Sequence, residues 1–164
     1  MLLKLGGLET PDSTMKNLFD RPTAAEIIRR IDSIQPNNAR LWGKMTAPQA
    51  LAHCSGAMEW ALGDKRTKRM FVGRLLGGMV RKKVVSDDKP LARNTPTSPD
   101  ILIADDRDLA SERARLRGLV ERFSAAVPSG CTSHPHTFFG HMTPDEWAIL
   151  MYKHVDHHLR QFSA

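Results

Sequence analysis

Histidine is the residue type in this chain best suited to chemistry near neutral pH, and its distribution is uneven. Six of the seven histidines lie in the last 31 residues: His134, His136, His141, His154, His157 and His158. His53 stands alone in the middle of the chain. His154 and His158 are spaced i, i+4, which stacks them on one face of a helix. At about 100° per residue, they share an arc with Trp147, Leu150, Met151 and Gln161. Lys153, Asp156 and Arg160 fall on the other side, and His157 falls at the edge of the apolar arc. Two imidazoles on an apolar face need partners, because an unsatisfied buried polar group costs about 1–3 kcal/mol. Neighbouring polar side chains can supply them, or a divalent metal can bind the neutral nitrogens. The stacked pair favours the metal.

His53 completes the pattern. On its own wheel it is flanked by Ala50, Gly56 and Ala57, with Trp60 alongside and Glu59 turned away. Small neighbours leave space beneath the ring, although a packed core histidine is the alternative. Three neutral histidines with no fourth protein ligand leave coordination positions open, the mark of a catalytic rather than a structural site. An ion so held acidifies water or polarises a substrate oxygen or thiol.

Helices must position these residues, and their starts are readable. Thr23-x-x-Glu26, Thr46-x-x-Gln49 and Thr143-x-x-Glu146 each fit a capping box, with Pro48 and Pro144 in the first turns that follow. The spacing predicts helices at about 23–34, 46–62 and 143–162. A further helix is predicted at about 106–126, where Leu109, Leu116 and Phe123 repeat by seven with Val120 and Val127 on the adjoining row. Residues 69–83 predict a shorter basic amphipathic helix. Residues 86–104, with Pro90, Pro96 and Pro99, predict a long irregular connection. The expected fold is all-α: a four-helix bundle with a long crossover loop and a short extra helix. Residues 1–20 are expected to be a flexible tail and 21–164 a single domain.

Bulk properties fit a globular protein: 41% of residues are hydrophobic and 26% charged. No apolar run is long enough to span a bilayer, and the opening residues are too short for a signal peptide, so a cytoplasmic location is expected. Cys54 and Cys131 are the only cysteines; they form no disulfide framework and are expected to be reduced, buried thiols. The net charge of +6 is concentrated: residues 65–83 carry eight cations and no acid. Such a segment can meet phosphates, an anionic membrane or an acidic substrate, or simply face water.

Two blocks carry a family resemblance: Trp42-Gly-Lys-Met-Thr-Ala-Pro-Gln-Ala-Leu-Ala-His53, and Lys153-His154-Val-Asp-His157-His158-Leu-Arg-Gln161-Phe162. Before the second block runs His136-Thr-Phe138-Phe139-Gly140-His-Met-Thr143-Pro-Asp-Glu-Trp147. Together they resemble the DinB/YfiT-like superfamily of metal-binding proteins, in an uncharacterised branch, over most of residues 22–162. The resemblance implies a four-helix bundle whose metal is held by one histidine of the second helix and a His-x-x-x-His pair of the last. These map onto His53, His154 and His158. It also implies zinc or nickel, and for some members a low-molecular-weight thiol in transferase, isomerase or hydrolase chemistry. It does not fix a reaction.

Secondary candidates surround this set. His157 and Gln161 are candidate catalytic or supporting residues, Gln161 as a hydrogen-bond partner of a ligand histidine. Lys89, Arg93, Asn94 and Thr97 in the long loop are candidates to bind an anionic group of the substrate. His136 and His141 precede the last helix and are expected to be solvated. Trp42, Trp60 and Trp147 are expected in the core. The leading function is a metal-dependent enzyme acting on a small molecule, of hydrolase or thiol-dependent transferase type, with a homodimer plausible for such bundles. A nucleic-acid-binding module using residues 65–83 is the alternative, weakened by the absence of a reader motif and by Phe71 being the segment's only aromatic. A non-catalytic metal-binding protein is another. A membrane-surface or partner role for Met70, Phe71, Leu75, Leu76, Met79 and Val80 is a further one, against the expectation that this side packs onto the bundle.

Overall fold

The computed structural model describes residues 15–126 and 128–164. Residues 1–14, most of the expected tail, and Val127 lie outside the described residues. Five α-helices run in the order α1 (Arg21–Ser33), α2 (Ala47–Leu62), α3 (Phe71–Val85), α4 (Leu109–Ala126) and α5 (Pro144–Gln161). No strand occurs among the described residues.

Two of the three expected caps form. Thr46 and Thr143 each accept from the backbone N–H three residues on, and Gln49 and Glu146 reach back to the cap N–H. The third does not. Asp20 caps α1, accepting from the Thr23 N–H at 2.9 Å and from its hydroxyl at 2.5 Å. Thr23 is therefore buried inside the first turn, with Pro22 ahead of it. Asp108 plays the same part for α4, accepting from the Ser111 N–H at 2.7 Å, so α4 begins later than the spacing predicts.

The core lies where α1, α2, α4 and α5 meet. α2 packs on α4 and α5, and α1 on the same two helices. Ile27, Ile31, Met58, Leu116, Val120, Phe123, Trp147, Met151 and Leu159 fill the space between them and are almost completely buried. Burying one such side chain contributes about 1.5–3 kcal/mol. Leu18 joins them and Phe19 stacks on Phe123 at 5.1 Å, so the chain is already packed before α1 begins.

α3 stands apart from this core and rests on α5 and on the turn before it. Gly73 and Gly77 face the Phe138 backbone so closely that a Cβ at either would collide with it. The expectation that α3 packs through its large apolar residues is thus corrected. Phe71, Leu75 and Met79 point outward, and glycine does the packing. The polar side of α5 is also corrected. Lys153 and Asp156 are 5% exposed. Lys153 donates to the Val84 carbonyl at 2.6 Å and to that of Asp87, tying down the end of α3. Asp156 accepts from Arg30 at 2.7 Å and pairs with Arg160 at 2.8 Å.

Candidate metal centre

α2 runs beside α5, and the two present their histidines to one another. The ring centroids of His53 and His154 are 4.8 Å apart, those of His53 and His158 4.8 Å, and those of His154 and His158 5.0 Å. One nitrogen from each ring lies within 4.8 Å of the others. The three side chains chosen from the two wheels thus converge, and together they can hold a metal ion.

Hydrogen bonds fix which nitrogens face inward. His53 Nδ1 is 2.8 Å from the Ile101 carbonyl, which can only accept, so Nδ1 carries the proton and Nε2 the lone pair. His158 Nδ1 is 2.9 Å from Gln161 Oε1. Gln161 in turn donates Nε2 to the Trp42 carbonyl at 2.6 Å, which fixes its amide orientation and places the Nδ1 proton on His158. Acceptors behind two of three rings are the usual way in which ligand histidines are oriented and made more basic. His154 differs, since its Nδ1 is buried without a partner. Its Nε2 is 2.9 Å from His53 Nε2, so without an ion it must donate there.

Burial keeps the site neutral. It lowers the pKa of His53, and lowers that of His154 well below its ordinary value with the help of His53. His158 falls to about 3 for the same reasons. Neutral imidazoles are the form a metal requires. The donor set, three neutral imidazoles, therefore fits a divalent metal ion. At N–metal distances of about 2.0–2.1 Å, two ligands of a tetrahedral ion stand roughly 3.4 Å apart. To hold such an ion, the His53–His154 pair, 2.9 Å apart here, would open by about half an ångström.

One rim of the site is built from Trp42, His157 and Arg93, of which only Trp42 was expected elsewhere. Trp42 is half-buried, not core. Its ring lies 5.5 Å from that of His157 and is covered by the Arg93 guanidinium at 4.0 Å. His157 is half-buried with its pKa lowered by burial, and its ring lies 5.0 Å from that of His158. Arg93 is thus the loop candidate that reaches the rim. Lys89, Asn94 and Thr97 are exposed. His141 is exposed as expected, but His136 is half-buried rather than solvated. Its ring packs on Phe139, Trp60 and Trp147, and its Nδ1 accepts from the Phe138 and Phe139 N–H groups at 3.1 Å. Trp60 and Trp147 are buried as expected.

One partner escaped the sequence. The Ile101 carbonyl comes from a short 3-10 turn, Pro99–Ile101, and no residue type marks a backbone acceptor. Gly56 was the available signal, since a Cβ there would meet Ile101 Cγ2 at 2.6 Å. Cys54 is buried and its thiol pKa is pushed far up, and that of Cys131 is raised to about 11, both by burial. Neither supplies a reactive thiolate.

Fold and site together define an all-helical protein with a buried cluster of three histidines that can bind a metal. The chain belongs to the family described as "Protein of unknown function (DUF1569)", which it matches over residues 14–164. No curated protein and no solved structure matches it.

Proposed function

We propose that this protein is a metal-dependent enzyme acting on a small molecule, with His53, His154 and His158 as ligands of one divalent ion, zinc or nickel. The observation that carries this reading is the inward aim of Nε2 on His53 and His158, each backed by an acceptor on Nδ1. The packing of α1, α2, α4 and α5 around one core, with α3 outside it, agrees with the four-helix, DinB/YfiT-like architecture that the sequence resembles. On that reading the reaction is hydrolytic or a thiol-dependent transfer.

Each residue then has a part. An ion with open positions acidifies water or a thiol and polarises a substrate oxygen. Ile101 and Gln161 hold two ligand rings in the required tautomer. Arg93, stacked on Trp42, would bind a carboxylate or phosphate of the substrate. His157, half-buried at the same rim, would exchange a proton with it. Lys89, Asn94 and Thr97 would contribute only to a substrate that extends along the loop.

Elemental analysis of the purified, untagged protein tests the reading directly. About one equivalent of zinc or nickel is expected, with loss of the metal and retention of helicity in His53→Ala, His154→Ala and His158→Ala. Full metal retention in these variants would sink it. Bound metal without turnover in hydrolytic and thiol-transfer screens would favour a non-catalytic metal-binding protein.

A further inference from the structure

α3 reverses the usual arrangement of an amphipathic helix. Its inner side is glycine: Gly73 and Gly77 sit against the Phe138 backbone. Its outer side carries Phe71, Val72, Leu75, Leu76 and Met79, which are 77, 44, 70, 45 and 68% exposed. These five span an arc of about 140°, centred roughly opposite the two glycines. Isolated exposed apolar side chains are ordinary, but five on one helix face form a patch that marks an interaction surface.

Polar contacts hold this orientation at both ends. The Met70 N–H donates to the Thr137 carbonyl at 2.9 Å, and the Thr137 hydroxyl donates to the Lys68 carbonyl at 2.9 Å. Arg69 donates to the carbonyls of His136 and Gly73, and Lys153 grips the last turn. Rotating α3 to bury its apolar row would break these contacts and remove the close seat that the glycines allow.

The surroundings of the patch say what covers it. Of the eight cations in residues 65–83, Lys65 pairs with Glu59 and Arg81 with Glu146, and Arg69 is turned inward. Arg66, Lys68, Arg74, Lys82 and Lys83 have no carboxylate partner among the described residues. A second copy docking face to face would bring two such cationic borders together. A nucleic acid would satisfy the charge but leave the apolar row against water, with Phe71 alone to stack on a base. An anionic bilayer satisfies both, because acyl chains accept Phe, Leu and Met while lipid phosphates accept Lys and Arg.

From this apolar face bordered by unpaired cations, we infer that α3 docks the protein on anionic phospholipid surfaces, lying in the plane of the interface with Phe71, Leu75 and Met79 inserted. α3 lies on the bilayer and does not cross it; no helix among the described residues is long and apolar enough to span one. The inference is independent of the metal site.

Sedimentation of the full chain with vesicles tests it. Wild type is expected to pellet with phosphatidylcholine vesicles containing about one third phosphatidylglycerol, and not with phosphatidylcholine alone. The triple variant Phe71→Ser/Leu75→Ser/Met79→Ser and the pair Lys82→Glu/Lys83→Glu should each lower the partition at least about tenfold. All five side chains are exposed, so circular dichroism and thermal midpoints should be unchanged. Absence of wild-type binding to the anionic vesicles overturns the inference, as does full binding by the triple variant. So does a wild-type dimer that the triple variant converts to monomer, which gives the face to a second copy. Salt-sensitive binding to oligonucleotides without vesicle binding also overturns it.

Discussion

Gln161 links the candidate metal centre to the rim, through one hydrogen bond to the His158 ring and one to the Trp42 carbonyl. Gly43 makes room for it, since a Cβ there would meet Gln161 Nε2 at 2.6 Å in a left-handed turn that suits glycine. Gln161→Ala removes the acceptor behind His158 and frees its ring. The expected result is a loss of about 10–100-fold in zinc affinity, read by competition with a chelating dye. Stability should fall by about 1–3 kcal/mol because the His158 Nδ1–H is left buried. A variant that keeps full affinity would show that Gln161 only packs. At this scale the sequence reveals much, because an i, i+4 pair on an apolar arc leaves few places for its side chains to point. It reveals Gln161 by the same spacing, one turn beyond His158. It does not reveal Ile101, whose contribution is a carbonyl, or Arg93 on Trp42, whose contact joins two irregular segments.

α3 is the element whose packing is hardest to read in advance and easiest to test. A helix with Phe, Leu and Met on one side suggests that side faces inward, since apolar burial dominates helix packing. The glycines on the other side hold the opposing information, which is visible only beside the Phe138 backbone. Their roles separate cleanly by substitution. Gly→Ala inside a helix ordinarily stabilises by roughly 0.5–1 kcal/mol. Gly78 has open space around the position of a Cβ, so Gly78→Ala should show that gain as a higher urea midpoint. Gly77→Ala must push α3 off the Phe138 backbone and should instead destabilise by about 1–3 kcal/mol. Equal effects at the two positions would mean that α3 does not sit as described. The helix starts were more legible. Thr46 and Thr143 cap as their boxes suggest, whereas at Thr23 an aspartate three residues earlier competes and wins because Pro22 fixes an earlier first turn.

Over the whole molecule, burial lowers the pKa of five histidines, His53, His136, His154, His157 and His158, and this couples stability to pH. His136 isolates the effect because it is not one of the three clustered rings. Burial pushes its pKa down to about 4, aided by the Arg69 guanidinium beside it. In the unfolded chain its pKa returns to about 6.5. Below that value the unfolded state binds the proton first, so stability rises with pH and is lost as pH falls. The loss begins near pH 6.5 and is complete near pH 4, where the folded state also binds the proton. Each such proton is worth about 1.4 kcal/mol per pH unit within the window, or of order 3 kcal/mol across it. His53, His154 and His158 add to the same slope in metal-free protein, with His158 extending it to about pH 3. His136→Asn keeps an acceptor for the Phe138 and Phe139 N–H groups and cannot titrate. Urea unfolding in the presence of chelator, from pH 7 to pH 4, should give a variant whose stability depends on pH less steeply by one proton. Identical slopes for the two proteins would mean that the His136 ring takes up its proton without unfolding, and is therefore less enclosed than its packing on Trp60, Phe139 and Trp147 requires.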